Sequence, residues 1–270
     1  MDNNIIKKIK SLPPLDDTII MIQRISTDKN SSMQDLVKVV EKDPMLTANI
    51  LKSANSPLYG FSKEIKSVSH AISLFGMATI RGFALSSAIK KNFKINLQPY
   101  GIDNHKFLDI STVQSVLMFK WYSKVNRSML DVLQPASFMM EVGKLIISHE
   151  LTEQGKAQEF QEALSQDKSL ENLEKLEKEM VGFSNEAITA KIFEQWNLEN
   201  ELIESIEFSN SPTLANEHIR DFAKALHVVK NSVNIFGILG DEQKNNSLEL
   251  LKEYGLDTST YEKALEQLNI

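Results

Sequence analysis

Apolar residues recur along almost the whole chain at helical spacing, and no strand-length run alternates apolar with polar. That rhythm confines the fold to an all-α assembly. Met33, Leu36, Val37 and Val40 share one helical face, as do Ile110, Val113, Leu117 and Trp121. Ile188, Ile192, Phe193 and Trp196 form another stripe, then Leu202, Ile203 and Ile206, then Ile219, Phe222, Leu226, Val229 and Val233. Phe138 to Ile147 is so apolar that it is expected to be buried on most sides. No fixed-period repeat interrupts the pattern.

Punctuation between the stripes follows helix-end chemistry. Ser31 with Gln34 fits a capping box, in which each side chain satisfies a free backbone donor. Asp43 can cap a helix that has Pro44 in its first position, where the missing N–H costs nothing. That helix should stop at Asn55-Ser56-Pro57, since proline disfavours helical geometry in the residue before it. Ser67 opens the next helix, with Val68, Ala71, Ile72 and Phe75 on its apolar face, and Gly76 ends it. Another helix starts at Met77. Residues 92–105 hold Pro99 and Gly101 and read as a connector. Residues 158–181 read as one charged helix and Glu217–Phe236 as a long amphipathic one, with two short helices around Gly255 at 245–268.

Composition removes several classes. No stretch nears the ~18 apolar residues of a membrane helix, and MDNNIIKKIK does not read as a secretory signal. The chain has no cysteine, which excludes disulfides and thiolate sites and fits a reducing cytoplasm. Residues 1–100 carry 14 Lys/Arg against 8 Asp/Glu, and residues 101–270 carry 16 against 28. Either the halves have differently solvated surfaces, or the basic half meets an acidic partner.

Chemistry is sparse. His70, His105, His149, His218 and His227 include no i, i+4 metal pair and are expected at surfaces or helix caps. No Walker loop, GxGxxG or GxSxG is present. The carboxylates of 150–207 read as solvated helix faces. Glu141 differs. It stands between Met140 and Val142 in the most apolar stretch, so it needs a partner, a wet pocket or a solvent edge.

One run is specific. Leu12-Pro13-Pro14-Leu15, Asp43-Pro44-Met45-Leu46-Thr47, Leu51 to Ser56 with Tyr59-Gly60, and Ala71-Ile72 with Leu74-Phe75-Gly76 resemble the opening half of HDOD domains. The resemblance implies an HD-like multi-helix assembly, with an N-terminal helical subdomain packed on a degenerate HD subdomain. Its expected divisions are an extension at 1–11, the N-terminal subdomain at 12–98, the HD-like part at 99–240, and C-terminal helices at 241–270.

HD enzymes hold metal with histidines and aspartates. The resemblance lays Ser137 to Leu145 over the His-Asp helix, with Met140 in place of the histidine and Glu141 in place of the aspartate. Ile110 takes the earlier histidine position, Asn185 a later one, Ser209-Asn210 the His-His pair and Asn231 a late aspartate. Methionine, isoleucine, serine and asparagine cannot replace those donors. The resemblance therefore implies no metal, no cofactor and no catalysis.

The expected function is a cytoplasmic bacterial signal-transduction module acting through protein contacts, with a regulatory protein or a second copy of the chain as partner. Glu141, Asp43, Asn55 and Ser56 are the candidate contact residues, though capping and turn roles also account for the last three. The resemblance takes up residues 12–240, so output is expected through non-covalent contact. The alternative is a nucleotide or second-messenger sensor in the old cavity, using Glu141, Asn185 and Asn210. Only four arginines are present, which disfavours phosphate forks. Nucleic acid is disfavoured too, because the basic residues of 31–91 are dispersed.

Overall fold

The computed structural model describes residues 2–92 and 96–268, so residues 93–95 of the expected connector lie outside the described residues. Six helices build the first part: α1 (Asp2–Lys10), α2 (Asp17–Thr27), α3 (Met33–Val40), α4 (Pro44–Ala54), α5 (Val68–Phe75) and α6 (Met77–Asn92). Ten follow: α7 (Asn104–Val125), α8 (Leu130–Met139), α9 (Gly143–Glu153), α10 (Ala157–Gln166), α11 (Leu170–Val181), α12 (Asn185–Gln195), α13 (Asn200–Glu207), α14 (Glu217–Ser232), α15 (Asp241–Tyr254) and α16 (Thr258–Glu266). Among the described residues the only β pairing is an isolated bridge between Val233 and Ile238. The chain is all-α. No single described helix is long and apolar enough to cross a membrane.

Several helix ends fall where capping chemistry puts them. Asp43 accepts from the Leu46 amide at 2.9 Å with Pro44 in the first turn, and Ser67 accepts from the His70 amide at 3.2 Å. Gly76 ends α5 at φ +86°, a conformation that disfavours any residue with a Cβ.

Four boundaries differ from the sequence expectation. The capping box lies one residue on, between Ser32 and Asp35, whose carboxylate accepts from the Ser32 amide at 3.0 Å. Residues 158–181 are two helices, because Ser169 caps a new start by accepting from the Asn172 amide. The 138–147 run is broken too: α8 ends at Met139 and α9 begins at Gly143, leaving Met140-Glu141-Val142 in a turn. The long α14 stops at Ser232, where Val233 turns extended.

One apolar core runs from Ile5 to Leu268. The residues of the expected N-terminal extension form α1, and Asn4 donates to both carboxylate oxygens of Glu150 on α9 at 3.0 and 2.9 Å. The first part locks onto the second through buried Arg81, which pairs with Glu199 and donates to the Asp131 carbonyl. Trp196 donates to the Pro13 carbonyl at 3.2 Å. Gly82 of α6 lies so close to Pro135 of α8 that a Cβ there would sit 3.3 Å from the proline Cα. At the far end, Tyr261 of α16 packs edge-on against Trp121 of α7, with ring centroids 5.0 Å apart.

Candidate functional site: a buried ion-pair network

The turn between α8 and α9 places Glu141 in the core, 1% exposed. A carboxylate there needs a counter-charge, and α9 supplies it one turn later. Lys144 Nζ lies 2.6 Å from Glu141, with both side chains 2% exposed. Lys144 also stands 3.8 Å from Glu177 of α11. Gln114 of α7 donates to Glu141 at 3.1 Å and to the Val233 carbonyl at 2.8 Å.

Asn185, fully buried at the start of α12, knits the centre together. Its Oδ1 accepts from the Lys144 amide at 3.1 Å, and its Nδ2 donates to the Met140 carbonyl at 2.7 Å and to Glu186 at 3.0 Å. Its own amide donates to Glu177 at 2.7 Å. This approach requires Gly143, since a Cβ there would overlap the Asn185 carbonyl and stand 2.9 Å from Thr189 Oγ1. The Gly143 amide instead donates to that hydroxyl at 2.9 Å.

A second ammonium closes the outer side. Lys230 of α14, 2% exposed, pairs with Glu186 and donates to Asn210 Oδ1 at 2.9 Å. Asn210 Nδ2 in turn donates to Glu174 at 2.9 Å. Two lysines and three glutamates thus occupy the middle of the second part.

Their protonation follows from these neighbours. Burial alone would raise all three carboxyls, because charge is disfavoured away from water. In Glu186 the fields of Lys230 and Lys144 override burial and bring it down to about 2. In Glu141 burial is likewise outweighed by Lys144 and Lys230, so it lies below the usual carboxylate range. In Glu177 burial wins, helped by repulsion from Glu186, and its carboxyl rises to about 7. The Tyr100 hydroxyl, buried and donating to Glu177 at 3.0 Å, is held well above its ordinary value by burial first and by that carboxylate second.

Of the positions at which the resemblance expected vestigial ligands, Met140, Glu141, Asn185 and Asn210 belong to this network. Ile110 and Ser209 are buried but outside it; Ser209 donates to the Ile206 carbonyl at 2.8 Å. Asn231 donates to the His227 carbonyl within its own helix. An HD metal does not fit this donor set. Among the described residues no three His, Cys, Asp or Glu side chains are grouped to hold an ion, and each buried carboxylate here has an ammonium or amide partner.

Glu141 reaches no surface. Asp43 is a cap, and Asn55 ties α4 to the next loop, donating to the carbonyls of Leu51 and Ile65 and accepting from the Ile65 amide. Ser56 donates its amide to the Ser53 carbonyl. Sequence reasoning missed Gln114, Lys144, Glu177, Glu186 and Lys230, and its view of the 150–207 carboxylates as solvated fails at Glu150, Glu177 and Glu186, 2%, 1% and 3% exposed. Nor is His227 a surface or capping residue: it is partly buried, bonds Tyr254 through Nδ1 at 2.6 Å, and burial lowers it to about 4.

Comparison with known proteins places this arrangement. The family model of the HDOD domain matches residues 12–212. A virulence factor from Campylobacter jejuni is 26% identical, with a TM-score of 0.58 over 96% of this chain and 93% of its own. A protein provisionally assigned to signal transduction in Marinobacter aquaeolei is 22% identical, with a TM-score of 0.72 over 99% of this chain and 62% of its own. An HDOD domain protein of unknown function from Geobacter sulfurreducens is 15% identical, with a TM-score of 0.65 over 99% and 93%. No curated protein matches the chain. The shared architecture is the HD-like helical domain.

Proposed function

The chain belongs to the HDOD domain family, and from that premise we propose that it is a non-catalytic regulatory module that passes on a signal through protein–protein contacts. One observation carries the reading: where an HD enzyme would gather metal ligands, this chain buries the ammonium groups of Lys144 and Lys230. A divalent ion placed beside them meets two like charges in a medium that screens them poorly. The carboxylates that remain are already neutralised. Water attacking a phosphoester at neutral pH draws its activation from such an ion, so the scaffold persists without that chemistry, as folds outlast the sites they carry.

The nucleotide-sensor alternative gains no support here. Two of the three residues expected to supply its polar contacts, Glu141 and Asn185, are at most 1% exposed and bonded to protein, and the third, Asn210, lines an open cavity but already bonds Lys230 and Glu174.

Purified protein loaded with Mn²⁺, Fe²⁺ or Mg²⁺ and then dialysed should retain far less than one ion per chain and leave bis(p-nitrophenyl) phosphate uncleaved. Affinity capture from cytoplasmic extract should recover a specific protein, and capture should survive Glu141→Gln, which lies away from any surface. Stoichiometric metal together with phosphodiester turnover would sink the non-catalytic reading. Failure to recover any specific partner under several conditions would sink the protein-contact reading.

A further inference from the structure

A cavity of about 380 Å³ opens where the first part of the chain meets the second, between the end of α2 and the starts of α6, α8 and α13. It shares no residue with the buried ion-pair network. That volume is in the range of small-molecule sites, which favour junctions between packed parts. We propose that this cavity binds a small uncharged molecule built on an amide-bearing ring, of the nucleobase kind.

Unfilled hydrogen bonds point to a ligand. Among the described residues, Ser26 Oγ, Arg81 Nε and Glu199 Oε2 are buried side-chain atoms without a hydrogen-bond partner. All three residues line this one cavity. Arg81 is 3% exposed. Its guanidinium stands among the lining residues, pairing with Glu199 and donating to the Asp131 carbonyl, and its Nε–H is left over. Buried polar atoms are nearly always satisfied, and a charged donor left without an acceptor is costly. Three such atoms on residues of one wall call for a partner there.

Those atoms select the ligand's chemistry. Arg81 Nε needs an acceptor and Glu199 Oε2 needs a donor, so one ligand must present both, while the Ser26 hydroxyl can serve either way. An amine or guanidinium offers no acceptor, and Arg81 repels it. An anion is opposed as well. With Arg81 paired to Glu199, the lining sets Asp28, Asp131 and Glu201 against Lys29 alone. The C=O and N–H of an amide meet both demands without charge. Met77 and Val132 supply apolar wall, and a thioether packs well against a flat ring. A nucleoside therefore fits this cavity better than its phosphate.

The test is calorimetry on the full chain with uridine and inosine, beside their 5′-monophosphates and agmatine. At least one nucleoside should bind saturably at one site and raise the melting temperature, as a ligand specific to the folded chain does. Ser26→Ala removes a hydroxyl that bonds nothing in the free protein. The variant should melt with the wild type and bind the nucleoside severalfold more weakly. Val132→Trp, which fills the cavity, should abolish binding. The proposal is overturned by no saturable nucleoside binding up to ~10 mM, by wild-type affinity in either variant, or by tighter binding of a monophosphate or agmatine than of the nucleosides.

Discussion

Lys144 and Glu141 face each other at 2.6 Å across one turn of backbone, both 2% exposed, in the stretch of chain richest in apolar residues. Neither charge would be tolerated there alone. Desolvating a single ion costs several kcal/mol, and attraction in a poorly screening interior offsets this only when the remaining polar atoms are also bonded. Gln114 donates to Glu141, Glu177 adds a second carboxylate 3.8 Å from the Lys144 ammonium, and Asn185 holds the backbone of the turn between them.

Removing one member should therefore be far more damaging than removing two. Lys144→Met should lower stability by about 3–5 kcal/mol, because it leaves Glu141 buried without its ammonium. Adding Glu141→Gln should return much of that loss, since the neutral amide can still accept from Gln114. Urea denaturation of the wild type, both single variants and the double variant measures the coupling. Additive effects would mean that the two side chains do not act as a pair.

Glu177 makes stability depend on pH in an unusual direction. Its carboxyl sits at about 7 when folded, because burial outweighs the pull of Lys144, against about 4.3 in an unfolded chain. The folded state then holds the extra proton between those values. Its contribution is fully present below about 4.3 and is lost as pH rises towards 7. Glu186, lowered to about 2, acts oppositely: its contribution is present above about 4.3 and lost as pH falls towards 2. Glu177→Gln keeps the shape and the bond from the Asn185 amide while removing the proton. The variant should flatten the decline in denaturant midpoint between pH 5 and 8, and an unchanged slope would exclude Glu177 as its source.

Much of this was legible, and the misses have physical causes. Helical periodicity located the core, and Glu141 stood out as a charge in an apolar run. The same logic extends to residues passed over. Lys144 is in that run three residues on; Glu177 follows Leu170 by seven and Leu173 by four; Lys230 follows Leu226 by four. All occupy inward-facing helical positions, where a charge signals a buried partner. Which partner each finds was not legible, because the pairs join helices distant in sequence. Tyr100 reaches Glu177 across 77 positions. The break at 140–142 was hidden for another reason: no proline or glycine precedes Gly143 there, and tertiary bonds to Asn185 set the turn.

Gly143 tests whether that close approach is needed. Alanine there would drive a methyl group into the Asn185 carbonyl, which is backbone and cannot rotate away. Gly143→Ala should cost about 1–3 kcal/mol, the usual range for overpacking. Gly155→Ala is the control of a different kind: φ is +69° but nothing lies within 4 Å of the added carbon, so it should cost about 1 kcal/mol through backbone strain alone. Chemical denaturation ranks the two. A Gly143→Ala protein as stable as the wild type would mean that α9 and α12 can separate freely.

Asn55 separates an architectural role from a contact role for the α4 end. Its carboxamide holds Leu51 and Ile65 through three hydrogen bonds at 2.8–2.9 Å, closing the loop that follows the helix. The neighbouring Ser56 bonds through its backbone amide. At about 1 kcal/mol net per bond, discounted for exposure, Asn55→Ala should lower stability by about 1–2 kcal/mol. Ser56→Ala should fall within about 0.5 kcal/mol of the wild type. Melting temperatures measured without any partner decide the matter. If Asn55→Ala melts with the wild type, the three bonds do not hold the loop and the side chain is free to serve a contact instead.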